Sequence, residues 1–479
     1  MYRTSLTRQS QETDKMYPME SVATPRASIV FWFSEILSRR EITVVIMGLG
    51  LALRFLYLVL FGDRPLMSDS ASYNTVAMQL VNGTPFVPSW PPGVPLYLAA
   101  VHQLFGDSEL VLRVSMLVLY AILSFFAYQT AVLFTGRTAA GNLVLLALAL
   151  SPAAIFGSAE TMTEIPSALL LMIVAYCLLR AESGPSTRNI LLLGIALAFL
   201  CLTRASSLVL LVLVPPYLIW RTRRVSGAVT VLILGIVMIG TWISYVHSKT
   251  GRFVKINTYN SMNFYLGNNP DTPLYRTWWL GGHHEWQNAQ QDRPDSVFWT
   301  GMDPLARDAK FSQLALQHIR QRPDLFLVRT INRICVFFSF NMYAGAYMML
   351  GYGVPKLPGF AILAFDAALY ILTAAGAILY LCTLSGSKEQ TFKAWILSVL
   401  AFLYAFPYFI ALSHPRMHFP IEPILMVLCA AFLVSLLNES DQSLWEMLKR
   451  RKNILVTALV ILGLVQIEWF IMMADRISQ

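Results

Sequence analysis

From residue 42 onward, long apolar runs alternate with short polar connections. A membrane-spanning helix needs about 20 mostly apolar residues. Runs of that kind lie at 42–61, 110–135, 139–157, 164–181, 189–204, 206–220, 225–247, 360–384, 393–412, 419–438 and 453–473. The pattern predicts an all-α polytopic membrane protein with about eleven transmembrane helices. The short runs 189–204 and 206–220 predict a tight helical hairpin. After the first run, "SDSASYNTVAMQLVNG" has small and apolar residues at helical spacing and ends in Asn82-Gly83. That spacing predicts a short helix lying flat outside the first span. In "PSWPPGVPLYLAAVHQLFG", prolines around one glycine predict a stiff, extended elbow over 90–95. The segment 325–350 carries Arg329 and Arg333 on one helical face. It predicts an amphipathic helix in the membrane interface and not a span.

Composition agrees with this pattern. Of 479 residues, 56% are hydrophobic and 13% charged, whereas soluble domains carry about 25% charged residues. The net charge of +9 sits in short clusters between apolar runs, which read as topology signals and not as a nucleic-acid surface. With the N-terminus in the cytoplasm, the inner connections hold Arg137, Arg180, Arg188, Arg221, Arg223, Arg224, Lys388, Lys393 and the "KRRK" at 449–452. The short outer connections hold little beyond Arg64, Arg204 and Arg416. This bias predicts a multi-pass protein of the inner (plasma) membrane. Residues 1–40 read as a disordered cytoplasmic tail without a cleavable signal peptide. Residues 41–247 form an N-terminal transmembrane module with a first outer loop at 62–109. A second outer segment covers 248–358, and C-terminal transmembrane helices cover 359–479. Cys177, Cys201, Cys335, Cys382 and Cys429 lie in apolar stretches without metal-type spacing, so they read as packing thiols. No internal repeat is visible, so an inverted-repeat transporter is not supported.

The outer connections hold the candidate chemistry. Asp69 opens the predicted flat helix, either as its N-cap or as a carboxylate aimed by the helix end. Trp90 is a membrane anchor or a platform for a sugar face, and the elbow is a loop or the wall of a cavity. Glu160 and Glu164 lie between spans three and four, where Glu164 suits a helix N-terminus or a shared site. Arg204, in "CLTRASS", and Arg416, in "LSHPRMHFPIEP", stand at the outer ends of different spans. Charge at membrane depth is costly and points to function with a partner, and the guanidinium fork matches phosphate. The pair therefore suggests an anion held at the interface. The alternative is ion pairing with Glu160, Glu164 or Asp366, or snorkelling. His414 and His418 flank Arg416 as phosphate donors or ordinary interfacial histidines. Arg54 and Arg113 read as structurally partnered. His283, His284 and Glu285 are adjacent on a loop and point apart, a poor metal set.

These residues, in this order, resemble the GT-C polytopic glycosyltransferases. The likeness is to bacterial relatives of the dolichyl-phosphate-mannose protein mannosyltransferases and of the lipid A aminoarabinose transferases. It rests on Asp69 with Tyr73, "NGTPF", "WPPGVPLYLAA", "LFGDSELVLR", "SPAAIFGSAETMTE", "CLTRASS", "NFYLGNNP" and "HPRMHFPIEP". Many relatives show Asp-Glu in the first loop. Here the motif is "SDS", so the second carboxylate is missing and acceptor identity is not carried over. The resemblance implies a polyprenyl-phosphate monosaccharide donor and transfer with inversion to an acceptor hydroxyl on the outer face. It implies Asp69 as general base, Glu164 as a secondary acid, and Arg204, Arg416 and His414 around the donor phosphate. Tyr73, Trp90, Pro92, Asn263 and Asn268 are the implied cavity or substrate contacts. The acceptor is a protein, lipid or glycan, and a divalent cation at Asp69 and Glu164 is left open. Two other readings compete: a transporter or flippase of a lipid-linked sugar, and a catalytically silent scaffold.

Overall fold

The structure, a computed structural model, describes residues 32, 35–182, 184, 186–272, 302–384, 387–437, 446 and 448–478. Most of the predicted tail, and the stretch 273–301 with His283, His284 and Glu285, lie outside these residues. All regular structure among the described residues is helical. Nine helices there are long and apolar enough to cross a membrane by length and composition. The all-α polytopic architecture expected from the hydrophobic pattern is the one observed.

Helix α1 (Arg40–Phe61) is followed by the shorter helices α2 (Ser68–Val81) and α3 (Gly93–Phe105). The extended elbow predicted over 90–95 ends at Pro92. From Gly93 the chain is helical, because Pro95 falls in the first turn, where its missing N–H costs nothing. Next come α4 (Glu109–Thr135), α5 (Thr138–Leu150) and α6 (Pro152–Gly157). The run 139–157 is thus two helices and not one span. Pro152 cannot donate to the Leu148 carbonyl one turn back. The Arg54 guanidinium takes over that carbonyl at 2.9 Å and the Ala149 carbonyl at 3.3 Å. Ser151 caps the restart by accepting from the Ala154 N–H, and Asp366 accepts from the Ala153 N–H. An intramembrane arginine is thereby explained by a helix break on its neighbour.

The chain continues through α7 (Glu164–Glu182), α8 (Thr187–Thr203), α9 (Leu208–Thr222) and α10 (Val225–Thr250). Helix α7 is the centre of the bundle, packed by α4 and α8. Fully 83% of its apolar window is buried, against 22% for α10. Helices α1 and α10 turn residues such as Phe55 and Ile236 outward, as hydrocarbon-facing helices do.

Outside the bundle lie α11 (Asn260–Gly267), α12 (Pro304–Gln321), α13 (Pro323–Phe337) and α14 (Tyr343–Tyr352). The single interfacial helix expected over 325–350 is therefore two helices. Its arginine face is turned inward. Arg333 donates to the Gly267 and Phe409 carbonyls at 2.7 Å each, and Arg329 donates to the Asn269 carbonyl at 3.1 Å. The Gly267 and Phe409 carbonyls lie in the last turns of α11 and α16, where helical N–H partners run out. Leu327 and Ile331, on the other face, are exposed. Helices α15 (Lys356–Thr383), α16 (Lys388–Ile410), α17 (Glu422–Leu437) and α18 (Lys452–Ser478) complete the chain.

Candidate active site

Four separated pieces of chain meet at one end of the bundle. They are the start of α2, the residues before α7, the α8–α9 junction and the 3-10 turn Pro415–Ile421. The elbow reaches them by backbone contact. A Cβ on Gly93 would lie 2.3 Å from the Thr203 hydroxyl oxygen and 2.7 Å from the Thr203 Cα. Only glycine permits this approach, and Trp90 and Arg204 share one cavity wall. The strand-like segment before α11 is tied to the same elbow, with the Thr258 N–H donating to the Pro88 carbonyl at 3.0 Å and Asn257 Nδ2 to the Ser89 carbonyl at 3.1 Å.

The charged groups form an alternating chain. Arg416 donates to the Asp69 carboxylate, and its Nε lies 3.8 Å from Glu164 Oε1. Arg204 Nη2 lies 3.2 Å from the same Glu164 oxygen. Arg204 is further fixed by donation to Thr163 at 2.8 Å, Tyr408 at 3.2 Å and Ser167 at 3.3 Å. Arg416 lies over the Tyr343 ring, 4.7 Å from its centroid, a cation–π contact. Asp69 itself sits in the first turn of α2, whose N-cap is Met67. The N-cap role is thus not the one it takes. The preceding Ser68 is held at φ +54°, a left-handed conformation that costs a non-glycine residue about 1–2 kcal/mol.

Asp69, Arg204 and Arg416 line a cavity of about 480 Å³ together with Tyr73, Trp90 and Asn263. The Trp90 ring is stacked on Tyr259 with centroids 4.6 Å apart and meets Tyr73 edge-on at 5.5 Å. One indole face is therefore already covered. Burial, with the negative charges of Asp69 and Glu164, pushes the Tyr73 hydroxyl well above its ordinary pKa. It stays protonated and can donate.

Other expected contacts stand elsewhere. Pro92 is buried as the N-cap of α3, and Pro91 lines the cavity in its place. Asn268 donates to the Phe264 and Ile410 carbonyls at 2.9 Å each, holding helix ends together outside the cavity wall. His414 accepts the Arg416 backbone N–H on Nδ1 at 2.9 Å, so it shapes the turn and does not line the cavity. Glu164 sits behind the two guanidiniums. Glu160 belongs to a separate buried cluster, 2.6 Å from Arg113. His418 lies 2.6 Å from the Phe337 carbonyl and 3.1 Å from Glu422. Both carboxylates proposed for a cation face guanidinium N–H groups. Among the described residues no three His, Cys, Asp or Glu side chains group so as to hold a metal ion. Sequence reasoning missed Thr163, Tyr259, Tyr343 and Tyr408. In a chain that is 12% aromatic, nothing marks those tyrosines out.

Fold and site together define an all-α polytopic membrane protein with a cleft that pairs two carboxylates with two guanidiniums. Residues 89–245 match the dolichyl-phosphate-mannose-protein mannosyltransferase family. The match runs from the Trp90 elbow into α10, includes Glu164 and Arg204, and makes the chain mannosyltransferase-like over that segment. It falls on the family that the motifs resemble. No match is found among curated proteins. Among solved structures, one similar chain is the archaeal oligosaccharyltransferase AglB from Archaeoglobus fulgidus, in complex with an inhibitory peptide and a dolichol-phosphate. Its TM-score is 0.44 at 14% identity, over 94% of this chain and 56% of that one. The present chain thus spans little more than half of AglB. A second is ArnT from Cupriavidus metallidurans bound to undecaprenyl phosphate. Its TM-score is 0.41 at 14% identity, over 83% of this chain and 78% of that one.

Proposed function

We propose that the protein is an integral-membrane glycosyltransferase of the GT-C type. It moves a monosaccharide from a polyprenyl-phosphate donor to an acceptor hydroxyl on the outer face of the membrane, with inversion. One observation carries this reading: a carboxylate, Asp69, and two guanidiniums, Arg204 and Arg416, share one cavity with Tyr73, Trp90 and Asn263. The family match over residues 89–245 supports this reaction class.

The chemistry suits those groups. An alcohol is a weak nucleophile at neutral pH, so a positioned carboxylate takes its proton as the new bond forms. Asp69 is that base. The leaving polyprenyl phosphate departs as an anion and needs charge stabilisation, not a proton. Arg204 and Arg416 supply it. Beyond the cleft, α9 and α16 also border an apolar cavity of about 660 Å³ with Leu178, Val214, Trp220, Trp395 and Leu403 in its wall. Part of the polyprenyl chain would lie there, with its phosphate at the arginines.

The test is complementation of a deletion strain with wild type or Asp69→Asn, read by mass spectrometry of membrane lipids and glycans. Loss of a general base costs about a hundredfold or more in rate. The variant should leave the donor accumulated and the decoration missing at normal protein abundance. Full restoration by Asp69→Asn would remove the base assignment.

A further inference from the structure

The two arginines of the cleft are held in different ways. Arg204 is fixed from several sides, by Thr163, Ser167, Glu164 and Tyr408. Arg416 rests on the Tyr343 ring, has Glu164 3.8 Å from its Nε, and spends Nη2 on Asp69. Tyr343 and Glu164 hold this guanidinium whether or not Asp69 is its partner. Asp69 and Arg416 are about one-fifth exposed, at 20% and 22%, and both line the cavity, so a ligand there reaches both.

Asp69 is thus engaged by the group that the donor phosphate needs. The contact engages Asp69 Oδ2, and the lone pair given to the guanidinium is not available to a hydroxyl proton while the pair stands. Phosphate offers the guanidinium a matched bidentate partner and competes with a carboxylate for the same N–H groups. Asp69 stands on the short helix α2, one residue after the strained Ser68.

Resting on the glycosyltransferase reading, we propose that the Asp69–Arg416 pair is a latch opened by the donor. The arriving phosphate takes Arg416 and releases the Asp69 carboxylate as base. The acceptor hydroxyl then gives its proton to Asp69, and its oxygen bonds to the anomeric carbon. The bond from that carbon to the phosphate oxygen breaks, and its electron pair leaves on polyprenyl phosphate. When the product departs, Asp69 returns its proton to water and re-forms the pair with Arg416. Asp69 Oδ2 is released from Arg416 only with donor in place.

The latch makes Asp69 a competitor for phosphate, so removing its charge should tighten binding while it stops transfer. The experiment measures the affinity of undecaprenyl phosphate for the purified full-length protein in detergent. It compares wild type, Asp69→Asn, Asp69→Ala and Glu164→Gln, with thermal unfolding as the check on folding. Release of a coupling of this kind corresponds to about fivefold or more in affinity. Both Asp69 variants should bind at least that much tighter than wild type. Glu164→Gln, which loosens Arg204 and Arg416 but leaves Arg416 paired with Asp69, should tighten binding less than the Asp69 variants do. Equal or weaker binding by the folded Asp69 variants would overturn the latch and leave the glycosyltransferase reading standing. Equal tightening by Glu164→Gln would show general charge removal and overturn it too. Absence of binding by wild type would overturn both.

Discussion

Arginine is the residue in which this protein's chemistry and its architecture meet. Arg54, Arg329 and Arg333 spend N–H groups on backbone carbonyls, chiefly where helices break or end. Arg204 and Arg416 spend theirs on acids and hydroxyls around a cavity. Cost at membrane depth flags such residues, and Arg54 already reads as structurally partnered, but the sequence alone does not establish these roles. Their partners do. Arg204→Ala and Arg416→Ala should each weaken undecaprenyl phosphate binding by about tenfold or more, since a hydrogen bond to a charged group contributes about 1.5–3 kcal/mol. Arg333→Ala should leave that affinity within about threefold in the protein that folds and lower thermal stability instead, because buried carbonyls lose their donor at about 1–3 kcal/mol each. Affinity and unfolding temperature, measured on the same preparations, separate the two classes.

Among the elements, the broken pair α5–α6 is the most informative. Its hydrophobic run is unbroken at 139–157, and the reading as one span follows from run length. Pro152 was visible in that run, yet whether a proline kinks a helix or ends it depends on who satisfies the freed carbonyl. Here it is Arg54, 94 residues away. Arg54→Met should therefore destabilise the protein by about 1–3 kcal/mol. In a Pro152→Ala background the same change should cost less, because an N–H returns to the Leu148 carbonyl. A double-mutant cycle on thermal stability in detergent measures the coupling, and strict additivity would exclude this account. The helix α13 gives a parallel lesson. Its amphipathic pattern was legible, but the face that reads as polar is the one buried.

For the whole molecule, chain direction fixes the ends. Helix α7 leaves the cleft at Glu164 and, at about 1.5 Å per residue, ends some 28 Å away. The basic cluster at Arg180 and Arg188 is therefore remote from the site. Successive reversals bring Arg221, Arg223, Arg224 and Lys388 to that same end, where Arg451 donates to the Cys382 carbonyl at 2.8 Å. With the positive-inside rule, this supports a cytoplasmic basic end and an outer cleft. In a protein freed of its own cysteines, Ser186→Cys should react only with a membrane-permeant thiol reagent in intact cells. Asp107→Cys, on the cleft side, should react with an impermeant one, and the reverse pattern would invert the topology. Hydropathy thus determined the class of protein and most of its apolar helices, because the bilayer penalises exposed backbone and charge locally, residue by residue. Which charges meet was decided only in three dimensions. Asp69 and Arg416 are 347 residues apart, and a buried ion's partner is set by how distant helices pack, a property that no local pattern encodes.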